Sequence, residues 1–363
     1  MSISVVEPDK YESLLAAKKT ATAEQFSCFD LPEIEVYESP RSHYRMRCEF
    51  RVWHEDEDLY YVMFEKGNKH ARIRIDNCPM VSERIHDVMF KLLEEIRPSE
   101  VLRRKLFQVD FLSTLSGELL VTLLYHRPID ESWAEEAKKL KEKFNIQLIG
   151  RSRKNKILLD QDFVIEKLDI NSREFIYKQV ENSFSQPNAE VCRHMINWAL
   201  DATQGAGGDM VELYCGNGNF TLPLAQNFGR VVATEISKTS VRAARFNIEE
   251  NNIDNVDVVR ISSEEFSQVL SGAVEKRRTK DLGLEACDFT TVLVDPPRSG
   301  LDDDTVKQVQ EYDNILYISC NPETLKENLE VITETHELQR FAIFDQFPYT
   351  EHLECGVFLS RKY

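Results

Sequence analysis

From about residue 188 onward, the chain alternates short apolar strands with helices, and this alternation limits the fold more than any other feature. Predicted strands cover residues 210–214, 230–234, 256–261, 291–294 and 314–319. Strands separated by helices pack as a mostly parallel, doubly wound sheet, so we predict an α/β fold. Ligands of such sheets bind at the carboxyl ends of the strands. The most distinctive residues fall at those ends: Gly216, Glu235, Asp295 and Cys320.

The preceding part of the chain has a different character and predicts a separate domain. Residues 41–160 hold 23 Lys or Arg against 20 Asp or Glu, whereas the rest of the chain holds 22 against 42. Basic residues cluster there with aromatic ones, within segments that predict β-hairpins. Basic side chains bind phosphates while rings stack on unpaired bases; a solvated charged face is the alternative for any single cluster. We predict an N-terminal helical extension (1–40), a β-rich α+β domain that binds nucleic acid (41–180) and the doubly wound domain (181–363).

Composition excludes several classes of protein. The formal net charge of −17 over 363 residues excludes a wholly basic protein that coats nucleic acid. No stretch approaches the roughly 18 apolar residues of a membrane span, and the first residues lack the pattern of a secretory signal. The eight cysteines have neither C-x-x-C spacing nor a zinc or iron–sulfur arrangement. We expect reduced thiols in a cytoplasmic protein without a metal.

Residues 212–220, ELYCGNGNF, place a glycine turn between a predicted strand and a predicted helix. Glycine permits the tight turn and lets a ligand approach the backbone. Glu235 ends the next strand, 19 residues after Gly216, where a carboxylate accepts the hydroxyls of a ribose; a charge at a helix N-terminus is the alternative. The motif is G-x-G rather than G-x-G-x-x-G, which argues against NAD and for a nucleoside without phosphates. S-adenosylmethionine fits this description.

Cys320 follows an apolar strand and precedes a predicted helix in the segment SCNPET. Its polar flanks and its place at the ligand edge favour a reactive thiol over an inert core cysteine, and a helix N-terminus lowers a thiol pKa. Glu354 is a carboxylate in a hydrophobic stretch and a candidate general base; a surface carboxylate on a terminal hairpin is the alternative. In DPPRSG, Arg298 stands where amino-group methyltransferases have an aromatic residue, so that class is disfavoured.

Together these motifs resemble the RNA 5-methyluridine methyltransferases. The segments that carry the resemblance are SHYRMRCEFRVWH, KLFQVD, LLYHR, QVENSFSQPN, ELYCGNGNF, ATEI, VDPPRSGL, YISCNPETL and FPYTEHLECG. They run in the family's order from about Tyr37 to Gly356. The chain lacks the four-cysteine iron–sulfur cluster of the rRNA-directed members, and residues 1–40 are too short for their oligonucleotide-binding barrel. The resemblance therefore implies a tRNA-directed enzyme with a Rossmann-like class I methyltransferase domain.

The resemblance also implies a reaction and roles for individual residues. S-adenosylmethionine would methylate C5 of uridine 54 in the T-loop of tRNA, through a covalent bond between Cys320 and uracil C6, with Glu354 as the base. The residues implied in cofactor binding are Gln186, Tyr214, Gly216, Asn219, Glu235 and Asp295. The residues in segments that would face the tRNA T-arm are Arg51, Phe107 and His126.

Two alternatives stay open at this point. One is the same chemistry on rRNA. The other is a chaperone that remodels tRNA, which needs the basic section but neither Cys320 nor Glu354. The T-arm of tmRNA is a further candidate substrate, and we expect neither a metal, an iron–sulfur cluster nor an obligate protein partner.

Overall fold

The computed structural model describes residues 6–65 and 68–362. The strands are β1 (Ile34–Tyr37), β2 (Arg47–Glu55), β3 (Asp58–Glu65), β4 (Asn68–Ile75), β5 (Leu106–Ser113), β6 (Leu119–Tyr125), β7 (Gln147–Ser152), β8 (Asn155–Leu158), β9 (Phe163–Ile170), β10 (Arg173–Val180), β11 (Asp209–Leu213), β12 (Val231–Thr234), β13 (Val256–Val259), β14 (Phe289–Val294), β15 (Asn314–Ser319), β16 (His336–Phe344) and β17 (Glu354–Arg361). The helices are α1 (Tyr11–Gln25), α2 (Glu83–Ile96), α3 (Glu100–Arg103), α4 (Glu131–Phe144), α5 (Ala189–Ala202), α6 (Thr221–Leu224), α7 (Lys238–Glu250), α8 (Ser263–Leu270), α9 (Asp303–Val309) and α10 (Pro322–Ile332). Within the described ranges, no helix has both the length and the apolar character needed to cross a membrane.

Contacts divide the chain into two compact units. The first contains Pro40–Lys167 and Gln179–Ala189, and the second contains Asp9–Ser39, Leu168–Lys178 and the chain from Glu190 onward. This division differs in detail from the predicted one, because residues 9–39 belong to the second unit instead of forming an extension of their own. The reason is strand β1, which pairs in parallel with β16 and so enters the sheet of the second unit.

The first unit builds a sheet in the order β4-β3-β2-β5-β6-β7-β8. Its neighbours are antiparallel except β6 and β7, which flank helix α4 in the chain and pair in parallel. Along β2, the side chains of Cys48, Phe50 and Val52 are buried, whereas Arg51 and Trp53 are exposed. This period of two leaves one buried face and one face that presents basic and aromatic side chains.

The second unit builds a larger sheet in the order β1-β16-β17-β15-β14-β11-β12-β13. Strand β17 runs antiparallel to both of its neighbours, and the other pairs are parallel. The central strands are continuous apolar runs, and Val211, Val292 and Ile315 are fully buried. Chain order reverses between β11 and β14, and the crevice at such a point is where these sheets bind ligands. The predicted doubly wound, Rossmann-like α/β fold is thus confirmed.

Helix α1 is fastened to the loop that leads into β17. The Lys18 ammonium donates to Asp345 Oδ1 at 2.6 Å and to the carbonyl oxygens of Phe347 and His352, each at 3.0 Å. Lys18 is 10% exposed and Asp345 is 2% exposed, so little water reaches the pair. Burial lowers the pKa of Lys18, and the charge of Asp345 opposes that shift. The N-terminal helix therefore supports the C-terminal hairpin of its own unit.

Replacing Lys18 by Met is expected to destabilise the protein by roughly 3–5 kcal/mol, because the Asp345 carboxylate would stay buried without its cation. The free energy of unfolding in urea measures the loss. Lys19→Met alters an exposed neighbour on the same helix and should cost less than about 0.5 kcal/mol. Equal stabilities of the two variants would contradict this account of the ion pair.

Candidate active site

The glycine turn after β11 leaves space at the carboxyl edge of the sheet. Gly216 and Gly218 have φ angles of 57° and 85°, in the left-handed region that favours glycine. A Cβ atom at Gly216 would meet no atom within 4 Å, whereas one at Gly218 would lie 2.5 Å from Leu222 Cδ1. Gly216 therefore opens onto free space, and Gly218 allows the turn to pack against α6.

Tyr214 and Glu235 lie beside this turn. Tyr214 has a positive φ of 64°, which is costly for a residue other than glycine and is typical of functional sites. Its hydroxyl lies 2.9 Å from Ser263 Oγ. Glu235 accepts hydrogen bonds from the backbone N–H of Gly216 at 3.1 Å and of Ser237 at 2.6 Å. The carboxylate is thus held at the start of α7, which agrees with the alternative of a charge at a helix N-terminus. Each carboxylate oxygen still keeps a lone pair that a ligand hydroxyl can donate to.

Two buried asparagines that the sequence analysis did not single out fix the surroundings of the turn. Asn247 donates to the carbonyl of Asn217 at 2.9 Å and accepts from the N–H of Lys178 at 2.7 Å. Asn251 donates to the carbonyl of Ile176 at 2.7 Å. The sequence did contain a signal for these residues, namely asparagine on the apolar side of helix α7. Polar residues on a buried face need specific hydrogen-bond partners. The predicted cofactor residue Asn219 is half-buried in the same turn.

Gln186 and Glu212 each carry a buried side-chain oxygen for which the described residues supply no hydrogen-bond partner. Gln186 belongs to the first unit. Glu212 belongs to β11 and is 1% exposed, and burial raises its pKa to about 8. An unsatisfied buried oxygen is costly unless a ligand or water pairs with it. Sequence reasoning missed Glu212, although a carboxylate inside an apolar strand was visible.

Antiparallel pairing of β15 with β17 brings Cys320 and Glu354 together. Ser319 is the register partner of Cys355, so Cys320 and Glu354 are the next positions outward along the same pair of strands. Residues opposite each other in such a pair have Cβ atoms about 4.5–5.5 Å apart. Cys320 is half-buried, and Glu354 is 3% exposed. The structure thus joins the two residues that the sequence singled out for reactivity.

The DPPRSG loop adds a carboxyl and a cation to this pair. Asp295 follows Val294, which pairs with Tyr317 on the neighbouring strand β15. The Asn321 side chain donates to the carbonyl of Arg298 at 2.9 Å. The loop is therefore tied to the chain just after Cys320. Among the described residues, no group of three or more His, Cys, Asp or Glu is arranged to hold a metal ion.

The electrostatics of the cluster differ from expectation. Burial first, and then the charges of Glu354 and Asp295, raise the pKa of Cys320 to about 11, although Arg298 opposes the shift. The expected lowering by a helix N-terminus is therefore wrong for the free protein, because desolvation and two acidic neighbours outweigh the dipole of α10. Burial also raises the pKa of Asp295 to about 7. Burial and the charge of Asp295 raise the pKa of Glu354 well above its usual range.

The three predicted RNA-facing residues form one cluster in the first unit. The rings of Phe107 and His126 are stacked, with centroids 3.9 Å apart and planes 18° apart. The Arg51 guanidinium lies 4.7 Å from the centroid of Phe107. Arg51 and His126 are exposed, and Phe107 is half-buried. This arrangement offers a cation and an exposed ring side by side, as contacts to phosphate and base require.

Two more pairs of arginine and aromatic ring extend this surface. Arg72 lies 3.8 Å from the ring centroid of Trp53, and Arg74 lies 4.3 Å from that of Tyr60. Trp53 and Tyr60 are register partners on β2 and β3, so both stand on the same face of the sheet as Arg51. Stacking on a ring holds each guanidinium plane. Arg74 is also held by Asp76 at 2.7 Å and by Asp58 at 3.6 Å, so its charge is partly neutralised.

Alkylation of Cys320 by iodoacetamide should accelerate with pH and reach half of its maximal rate near pH 11, because the thiolate is the reactive form. Glu354→Gln should move this midpoint to lower pH, since the variant removes a charge that raises the pKa. Peptide mapping by mass spectrometry identifies the adduct on Cys320. A midpoint for Cys320 below pH 9.0, the ordinary value of a cysteine, would contradict the electrostatic account.

The sequence also matches a known protein family and named relatives. The family described as tRNA (Uracil-5-)-methyltransferase matches residues 10–362. A protein of Vibrio parahaemolyticus named tRNA/tmRNA (uracil-C(5))-methyltransferase is 57% identical over 364 residues, which covers 98% of each chain. One of Psychromonas ingrahamii with the same name is 54% identical over 366 residues and covers 100% of each chain.

A solved structure supports the fold. The crystal structure of Pyrococcus abyssi tRNA (uracil-54, C5)-methyltransferase in complex with S-adenosyl-L-homocysteine is similar, with a TM-score of 0.72 and 22% sequence identity. The likeness covers 96% of this chain and 83% of that one. With the match over nearly the whole sequence, the resemblance seen in the motifs is confirmed: the chain belongs to the tRNA (uracil-5-)-methyltransferase family and is an enzyme of that family.

Proposed function

We propose that the protein methylates C5 of uridine 54 in the T-loop of tRNA, with S-adenosylmethionine as donor and through a covalent bond from Cys320 to uracil C6. The observation that carries the proposal is the cluster of Cys320, Glu354 and Asp295 at the carboxyl edge of the sheet that also bears the glycine turn. The names of the bacterial relatives include tmRNA, so we propose its T-arm as a second substrate.

The residues around the glycine turn fit S-adenosylmethionine. Glu235 has lone pairs for the ribose hydroxyls, and the open side of Gly216 leaves room for the nucleoside. Ile236 follows Glu235 and is 66% exposed, which provides an apolar surface for adenine. When bound, the cofactor supplies an electrophilic methyl group. The further contacts that we propose come from Gln186, Tyr214, Asn219 and Asp295.

Cys320 is proposed as the nucleophile because uracil C5 is too weak a nucleophile to take the methyl group unaided. The thiol gives its proton to water, and the thiolate forms a bond to C6 while the electrons of the C5–C6 double bond shift towards C5 and O4. C5 then attacks the donated methyl carbon, whose bond to sulfur breaks. Because burial raises the pKa of Cys320 to about 11, the thiol form dominates in the free protein at neutral pH, and binding of the substrate has to favour the thiolate.

Glu354 is proposed as the base that finishes the reaction. It removes the C5 proton, the electrons re-form the C5–C6 double bond, and the bond between Cys320 and C6 breaks. A raised pKa makes the ionised carboxylate a strong base. Arg298 favours the ionised form of Glu354, which counteracts part of the effect of burial.

The cluster of Arg51, Phe107 and His126 is proposed to bind the T-arm. Extruding uridine 54 from its loop costs a few kcal/mol, and stacking of an RNA base on this cluster returns roughly 1–3 kcal/mol. Arg72, which stacks on Trp53, then binds backbone phosphate. A tRNA substrate also makes the cytoplasm the proposed location of the enzyme.

Nucleoside analysis of tRNA tests this function. After incubation with the protein and labelled S-adenosylmethionine, we expect labelled 5-methyluridine that maps to position 54. Cys320→Ala should form none while still binding S-adenosylhomocysteine, because the variant lacks only the sulfur. Methylation of rRNA fragments but not of tRNA would favour the rRNA alternative. Full turnover by Cys320→Ala would contradict the assignment of Cys320 as the nucleophile. Remodelling of tRNA without any methylated product would favour the chaperone.

Phe107→Ala should lower kcat/KM for tRNA by about 5-fold to 150-fold, the kinetic equivalent of one lost base stack. Affinity for S-adenosylhomocysteine should stay unchanged. Leu158→Ala removes a 43% exposed apolar side chain on β8 and is the matched control in the same unit. Equal kcat/KM values for the two variants would contradict the proposed role of the cluster in RNA binding.

A further inference from the structure

The second unit contains a basic groove outside the cluster described above. It lies along β13, the edge strand of the large sheet, and has a volume of about 570 Å³. Its cationic side chains are Lys238, Arg242, Arg245, Arg260 and Arg278. Its apolar lining includes Val241, Ile248 and Val258. The chain outside residues 41–160 carries 42 acidic against 22 basic residues, so five cations in one groove depart from their surroundings.

The groove lining includes the carboxylates Glu249 and Asp257, but neither forms an ion pair with a groove cation among the residues that the structure describes. Arg245, Arg260 and Arg278 donate to backbone carbonyls, at 3.1, 3.0 and 2.6 Å. Asp257, which also lines the groove, is engaged by Arg230 at 2.7 Å. In the described part of the chain, none of the five cations forms an ion pair. Each guanidinium has five N–H donors, so those that hold the backbone still have donors for a ligand.

The chemistry of the groove fits phosphate groups and not bases. Arginine side chains match phosphate oxygens with paired N–H donors. None of the described residues that line the groove is aromatic, so they offer no stacking surface for unpaired bases. We propose that the basic groove binds backbone phosphates of the substrate RNA, away from the target base; this rests on the proposed action on tRNA.

The position of the groove agrees with such a role. Arg260 directly follows β13 and Lys238 begins α7 after β12, so both lie towards the carboxyl edge that also holds Cys320. Strands β13 and β15 are four steps apart in the sheet, which corresponds to about 19 Å at roughly 4.8 Å per strand. An RNA whose target base reaches Cys320 therefore has to extend about 20 Å across the sheet edge to contact the groove.

The test compares two double variants with the same change in net charge. Arg242→Gln with Arg245→Gln removes two groove cations on α7. Arg277→Gln with Lys280→Gln removes two exposed cations that do not line the groove. Binding of full-length tRNA is measured over a series of KCl concentrations, with kcat, KM and the affinity for S-adenosylhomocysteine measured in parallel. Unchanged affinity for S-adenosylhomocysteine shows that the variants are folded.

The groove variant should bind tRNA at least fivefold more weakly than the control variant, with the slope of log K against log[KCl] reduced by about 2, one for each lost phosphate contact. Its kcat at saturating tRNA should match that of the control. Equal affinities and slopes for the two variants would overturn the proposal. The cations would then serve only to prevent the edge strand from pairing with another chain. If the wild-type protein methylates tRNA in the same assay, equal affinities of the two variants contradict only the role of the groove and not the proposed function. If the wild-type protein binds no tRNA, both the role of the groove and the proposed function are contradicted.

Discussion

The antiparallel pairing of β15 with β17 is the interaction on which the candidate active site depends. It makes Cys320 and Glu354 neighbours although they lie 34 positions apart in the sequence. The parallel strand β14 on the other side of β15 supplies Asp295, and Lys18 fastens the loop before Glu354 from the N-terminal helix. The reactive groups are therefore held by sheet register and one buried ion pair, and not by a flexible loop alone.

The same enclosure sets the electrostatics. A thiol and two carboxyls share a partly dry edge of the sheet. Burial raises the pKa of all three, and acidic neighbours raise those of Cys320 and Glu354 further. Burial and acidic neighbours consequently favour the protonated forms of Cys320 and Glu354 in the free protein. In the proposed mechanism, the approach of the substrate has to change this balance, and Arg298 is the cation in place to help.

Much of this could be predicted from sequence because the signals were local. The strand, glycine turn and helix around Gly216, and the ends of β12, β14 and β15, followed from apolar runs and turn residues. The role of residues 9–39 could not be predicted, because the pairing of β1 with β16 joins segments about 300 residues apart. The raised pKa of Cys320 could not be predicted from its neighbours in the sequence either. It depends partly on Glu354 and Asp295, which only the fold brings near Cys320. The clustering of Arg51, Phe107 and His126 likewise required strands β2, β5 and β6 to lie side by side in the sheet.

The most direct test of the central claim is a mass spectrum of denatured Glu354→Gln protein after incubation with tRNA and S-adenosylmethionine. With elimination blocked, the account predicts a species in which methylated RNA is attached to the protein, and peptide mapping should place the link at Cys320. A spectrum that contains only free protein, or a link at another residue, would contradict the pairing of Cys320 as nucleophile with Glu354 as base.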